Sequence, residues 1–324
     1  MTLDCPEDLP AHAAHPARPA LSPQVPAPEP VGALQRRASA VALALCTLAA
    51  TALQPLPAQA GDRLLGTWGV SQVEGAAGGG LTPWAVIAGP GSSDQAGGSA
   101  YVTAIRTRGD FDLQIVGAAV GIRDRLELSM ARWSFRFSDT VPGESARVDV
   151  LGAKLRVAGD AVYDQDRWLP QIAVGLQYKR NADYALVPRL LGARRDDDFD
   201  VYLSATKLWL GAVAGRNLLT SATLRATRAN QFGILGFGGD GNDRHQLMPE
   251  LSLGLMLRDD LVVGAEWRAK PDNLRSFKEE SARDLFIAWF PSRRLSLTAA
   301  WVNLGNIADK PDQHGWYLSG QVSF

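Results

Sequence analysis

His245 and His314 are the residues beyond the first sixty whose type most readily supports catalysis, and Asp243 and Asp312 each stand two positions before one of them. A hydrolase needs an imidazole beside a carboxylate and a hydroxyl nucleophile, held together in space. A spacing of two in sequence does not show that convergence, and both histidines fall in polar stretches. They are read as solvated loop residues; no catalytic residue is assigned, and an enzyme is not expected.

Other short patterns weaken in the same way. Gly75, Gly78, Gly79 and Gly80 suggest a phosphate cradle, but that needs a following Lys-Ser or Lys-Thr pair or a βαβ context, and Leu81-Thr82-Pro83 offers neither. A flexible hairpin loop or a plug facing a lumen is the better reading. Gly238-Gly239-Asp240-Gly241-Asn242-Asp243 matches one unit of a calcium-binding repeat whose sites form between stacked copies, so a single copy reads as an exposed loop. Arg108-Gly109-Asp110 is ordinary hairpin chemistry. No cofactor or metal is expected. The two cysteines, Cys5 and Cys46, lie in the first sixty residues, which leaves residues 61–324 without disulfide, thiolate site or Cys nucleophile.

More informative are charges placed mid-segment among small polar residues: Glu127, Lys154, Arg156, Arg225, Glu266 and Arg268. In a segment with one apolar and one polar face they share the polar side. Facing a water-filled bore they would select solutes; paired with one another they would close it. Both outcomes are consistent with the sequence.

The elements that must position these charges follow from composition and period. The 324 residues are 46% hydrophobic and 21% charged, with 33 basic and 34 acidic side chains. That balance gives no basic excess to track a nucleic-acid backbone, so nucleic acid is not an expected partner. A membrane helix needs about 20 consecutive apolar residues, and the longest such run, 38–52, is shorter. It reads as the h-region of a signal peptide, with Arg36 and Arg37 before it and the small-x-small pattern Ala58-Gln59-Ala60 after it. Residues 1–60 are therefore read as a leader, Pro- and Ala-rich and disordered over 1–30, with an alternative start near Val31. Cleavage before Gly61 leaves 61–324 as the mature unit.

Within that unit, segments of about ten residues alternate apolar and polar side chains, the period of a strand. Leu247, Leu251, Leu253, Leu255 and Leu257 fall on one face, and Glu250, Ser252, Gly254 and Arg258 on the other. Trp168, Trp209, Trp267, Trp289, Trp301 and Trp316 sit near segment ends, where an amphipathic ring meets lipid headgroups. The chain stops on a strand, with Trp316, Leu318, Gly320, Val322 and Phe324 on one face. Trp316, Leu318, Val322 and Phe324 resemble the C-terminal signal read by the barrel-assembly machinery, an expected partner.

Long polar links alternate with short ones, as in barrels with long outer loops and short periplasmic turns. The fold expected is an all-β transmembrane antiparallel barrel of about fourteen strands, counting Leu65–Val73 as the first. Twelve is the alternative if the glycine-rich beginning lies outside the wall or plugs the lumen. Met130–Trp133 breaks the alternation, which suggests a bulge.

Val73 to Gly89, Gly152 to Asp164 and Leu169 to Lys179 resemble the proteobacterial domain-of-unknown-function 3034 family, and the likeness covers most of 61–324. The family pattern carries an aromatic after the position of Gly89, where this chain has Pro90. The resemblance implies an exported outer-membrane protein in contact with outer-membrane lipid and brings no activity with it. The expected function is a passive channel or uptake porin for a small-molecule solute. The alternative is a non-conducting structural or surface-interaction barrel, with an outer-membrane hydrolase behind both.

Overall fold

The computed structural model describes residues 63–324 apart from 138–140 and 309. The leader, with its cleavage before Gly61, lies outside the described residues.

Two short strands, β1 (Val70–Ser71) and β2 (Ala77–Gly78), form a hairpin that is separate from the main sheet. Twelve further strands follow: β3 (Ala96–Thr107), β4 (Asp112–Ile122), β5 (Leu126–Arg136), β6 (Ser145–Ala158), β7 (Gln171–Asn181), β8 (Asp197–Val213), β9 (Arg216–Thr227), β10 (Gln246–Arg258), β11 (Leu261–Arg268), β12 (Ala282–Ser292), β13 (Leu295–Asn303) and β14 (His314–Ser323). Each pairs antiparallel with the next, and β14 pairs with β3 from Gly315↔Thr107 to Ser323↔Ser99, closing the barrel. Closure removes the free edge that no bilayer tolerates.

Both ends of the sheet lie on one rim, with the tight turns and the one longer link there, 159–170 between β6 and β7. Ala214 and Gly215 join β8 to β9 with φ of 49° and 76°, the left-handed pair that matches the twist of a two-residue hairpin. The opposite rim carries the longer links, 182–196, 228–245, 269–281 and 304–313. By the barrel rule the first rim is periplasmic and the second external.

Alternation sorts the side chains as the sequence predicts. Leu128, Met130, Leu151, Leu203, Leu251, Leu253 and Leu285 point outward and are exposed, while Ser129, Gln177, Ser204, Thr223, Ser252 and Gln321 are buried in the bore. Trp267, Trp301 and Trp316 ring the external side, and Trp168, Trp209 and Trp289 the periplasmic side. Trp168 stands in the β6–β7 link rather than on a strand and packs on Trp209 with ring centroids 5.4 Å apart. An edgeless sheet with an apolar exterior between two aromatic girdles is built for lipid, and the protein is a Gram-negative outer-membrane β-barrel.

Two expectations need correction. Among the described residues the wall has twelve strands, not about fourteen, because 67–91 folds inside it. The reason lies in burial: Trp68, Val70, Gln72, Val73, Glu74, Leu81, Trp84 and Val86 are all enclosed, so neither face of this segment is free for lipid. No bulge occurs at Met130–Trp133, where β5 pairs without interruption with β4 and β6. What changes is the surroundings. Near the external rim Trp133 and Phe135 turn inward onto a dry cluster, while Arg132 and Ser134 turn outward above the apolar band.

Candidate functional site

The inner segment has almost no sheet ladder of its own, so its buried N–H and C=O groups need partners from the wall. The predicted lumen charges supply them. Glu127 and Lys154 are register partners on β5 and β6 and form an ion pair at 3.1 Å. Glu127 accepts hydrogen bonds from the Ala88 and Ala77 amides at 2.8 and 3.2 Å, and Lys154 donates to the Ala77 and Trp84 carbonyls at 3.0 and 3.1 Å. Glu266 on β11 accepts from the Gly80 and Leu81 amides and the Thr82 hydroxyl, each at 2.6 Å. Arg268 donates to the Leu81 carbonyl at 3.0 Å. The glycines matter here: a Cβ on Gly79 would come within 2.1 Å of the Glu266 carboxylate, so bare backbone is what lets the segment reach the wall.

At the centre lies Glu74, fully buried beside the turn of the β1–β2 hairpin, where Gly75 takes φ of 98°. Its carboxylate pairs with Lys179 on β7, with Arg225 on β9 at 3.2 Å and with Arg268 on β11 at 2.7 Å. Asp200 on β8 sits 2.6 Å from Lys179 and 3.4 Å from Arg225; Glu250 on β10 sits 2.5 Å from Arg225 and 3.4 Å from Arg268. Five consecutive strands thus present Lys179, Asp200, Arg225, Glu250 and Arg268, alternating in sign with one positive charge in excess, and Glu74 neutralises that excess from the axis. Buried charges are tolerated only when paired in this way. Tyr202 lies under the Arg225 guanidinium, 5.0 Å from its ring centroid, and Phe232 lies 4.5 Å from that of Arg268.

Of the predicted lumen residues, Glu127, Lys154, Arg225, Glu266 and Arg268 are buried in the bore. Arg156 is instead at the periplasmic rim, 2.5 Å from Asp124 and 2.7 Å from Asp160. Asp124 also holds Arg63 at 3.1 Å, and Arg63 donates to the Ile87 and Thr67 carbonyls at 2.7 and 3.0 Å, fastening the entry of the inner segment. Sequence alone does not single out Glu74, Lys179, Asp200 or Glu250. Lys179 and Glu250 are legible as polar-face positions, but Glu74 is masked by the reading of Leu65–Val73 as wall.

The external mouth is covered by the β9–β10 link, which packs on Val73 and Leu81 of the inner segment. Phe232, Ile234 and Leu235 pack into the dry cluster with Trp133, Phe135, Val148 and Ile307. Beneath them Lys270 and Glu279, both buried, pair at 2.8 Å, and Glu279 accepts the Gln231 amide at 2.7 Å. Two gaps between inner segment and wall, one near Trp84 and Phe290 and one near Phe232 and Ile307, measure about 40 and 10 Å³. A water needs about 10–15 Å³ on this measure, so a few waters fit and a solute does not.

The histidines stand outside this system. His245 Nε2 is 3.1 Å from Asp198, not Asp243, and 2.9 Å from the Phe199 carbonyl; His314 Nδ1 is 3.3 Å from Asp312. Among the described residues no serine hydroxyl hydrogen-bonds to either, and no group of three His, Cys, Asp or Glu side chains is placed to hold a metal.

No curated protein matches the sequence. Similar solved structures include the KdgM porin, 10% identical with a TM-score of 0.44 over 70% of this chain and 99% of that one. Omp33 of Acinetobacter baumannii is 8% identical with a TM-score of 0.44 over 72% and 100%, and LpxR of Salmonella typhimurium is 10% identical with a TM-score of 0.42 over 70% and 99%. The family model described as Protein of unknown function (DUF3034) matches residues 67–321, taking in the inner segment as well as the wall, and the chain belongs to that family.

Proposed function

We propose that the protein is a gated outer-membrane channel for small molecules, closed at rest by its own inner segment and opened when that segment leaves the bore. The observation that carries this reading is the pairing of Glu74 with Lys179, Arg225 and Arg268. A barrel sealed for purely structural reasons can fill its bore with wall side chains. Here the filling is a separate glycine-rich stretch of chain held by charge, and its withdrawal would leave an arc of alternating basic and acidic side chains on β7 to β11 lining the bore, suited to selecting polar or charged solutes.

The test is planar-bilayer recording of residues 61–324 and of a form lacking 63–91. Silence or rare brief steps for the first and sustained steps for the second support gating; silence for both favours the second reading, a non-conducting surface barrel. That reading draws on the β9–β10 link, whose apolar side chains cover the external mouth. We also propose that the terminal strand is the segment handed to the barrel-assembly machinery. The proposal gives His245 and His314 no catalytic role: acyl hydrolysis of phospholipid is expected to be absent from wild type, and activity lost on replacing either would refute this part.

A further inference from the structure

The lipid-facing wall is not uniformly bulky. Across β10 to β14 its outward positions include Ala265 and Ala299, and the wall sinks there into a groove of about 680 Å³. Leu285 and Trp301 continue that groove into a second hollow of about 540 Å³ that runs to the external rim. The rim end is bounded by Trp267, Arg283, Asn303 and His314. An apolar trough therefore opens at headgroup height between tryptophans, with a guanidinium at its mouth.

Arg283 is the unusual residue. Arg106, Arg132, Arg147 and Arg180, on other external strand ends, each face an aspartate. Arg283 projects outward between its register partners Trp267 and Asn303, and among the described residues it makes no ion pair or side-chain hydrogen bond. A guanidinium presents a donor fork suited to phosphate oxygens, and a cation in the aromatic girdle meets phosphate there.

We propose that this groove is a lipid site in which one acyl chain lies over Ala265 and Ala299 and a phosphate of the same molecule rests on Arg283. Because Arg283 is on the rim of the long links, the lipid belongs to the external leaflet, and its class is the phosphorylated, acylated glycolipid of that leaflet rather than a glycerophospholipid. The site is distinct from the bore and does not depend on the gating proposal.

The test is native mass spectrometry of residues 61–324 in detergent, titrated with hexa-acylated lipid A or with phosphatidylglycerol. Wild type is expected to hold one lipid A in preference to phosphatidylglycerol. Arg283→Gln is expected to weaken that adduct about tenfold, the loss of one charge-assisted contact. Ala265→Leu with Ala299→Leu should weaken it similarly by filling the trough, while Arg132→Gln leaves it unchanged. Folding of each variant is checked by heat-modifiable migration. Equal binding by wild type and Arg283→Gln, or equal binding of the two lipids, overturns the proposal. So does a dimer that the groove-filling pair abolishes in the absence of any lipid adduct, since a second copy would then be the occupant.

Discussion

The Arg268 guanidinium donates a 2.7 Å hydrogen bond to the Glu74 carboxylate, joining the wall to the inner segment in the fully buried centre of the barrel. Removing one partner of such a buried pair leaves an uncompensated charge, at a cost of about 3–5 kcal/mol. Glu74→Gln leaves three basic residues facing Asp200 and Glu250, so it is expected to destabilise the barrel by that order. Glu74→Gln combined with Arg268→Gln should cost less than the sum of the single changes. Urea unfolding in lipid vesicles, arranged as a double-mutant cycle, measures the coupling; additive losses would show that the two residues do not act together.

A second prediction concerns steric fit. A Cβ on Gly121 of β4 would come within 2.1 Å of the Ala88 carbonyl, a backbone atom that cannot swing aside. Gly121→Ala is expected to push the inner segment off the Glu127 carboxylate, at a cost of about 1–3 kcal/mol, with the wall intact. Faster hydrogen exchange at Ala88, with unchanged heat-modifiable migration, is the expected pair of results. Unchanged exchange would place the segment elsewhere.

The external links offer a pH test. Asp243 takes the Arg195 guanidinium at 2.9 Å, with Arg194 and Arg228 each 3.8 Å away. The hydrogen bond from Arg195, opposed by slight desolvation, holds the Asp243 carboxyl below the usual carboxylate range. A depressed value means that folding favours the ionised form. The clasp therefore contributes above about pH 4 and is lost as pH falls through the depressed value. Protease cleavage of the β9–β10 link should rise only below about pH 4 in wild type and already at pH 7 in Asp243→Asn. A link equally resistant in both would remove Asp243 from the account.

Closure of the wall includes a contact at Phe324. Phe324 and Gly98 exchange backbone hydrogen bonds at 2.7 and 3.0 Å, and a Cβ on Gly98 would meet the Phe324 ring at 2.6 Å. Deleting Phe324, or Gly98→Val, is expected to lower the heat-modifiable fraction in outer-membrane fractions severalfold. Full assembly of both variants would show that this contact is dispensable.

How far the fold was legible depended on whether one face of each segment met lipid. Leu247 to Leu257 on β10 and Trp316 to Phe324 on β14 announce themselves by period two, because lipid outside and polar groups inside impose it. The stretch from Leu65 to Val73 imitates that pattern, yet from Thr67 onward it is buried in the bore and its alternation has no lipid to answer to. Met130 to Trp133 misleads for the opposite reason: the strand is regular, but bore and exterior exchange polarity near the rim. Glu127, Lys154, Arg225, Glu266 and Arg268 were visible as inward charges. Their common target was not, since Glu74 reaches them only through a hairpin whose path no local spacing specifies.

Ser71 of the inner hairpin and Ser99 of β3 place their hydroxyl oxygens 3.5 Å apart, and residues 61–324 contain no native cysteine. Conductance of Ser71→Cys with Ser99→Cys, recorded in the Glu74→Gln background, tests gating most directly. Opening steps under reducing conditions that vanish on oxidation are the predicted result. Conductance indifferent to the disulfide, whether open or silent in both states, would contradict a bore gated by its own inner segment.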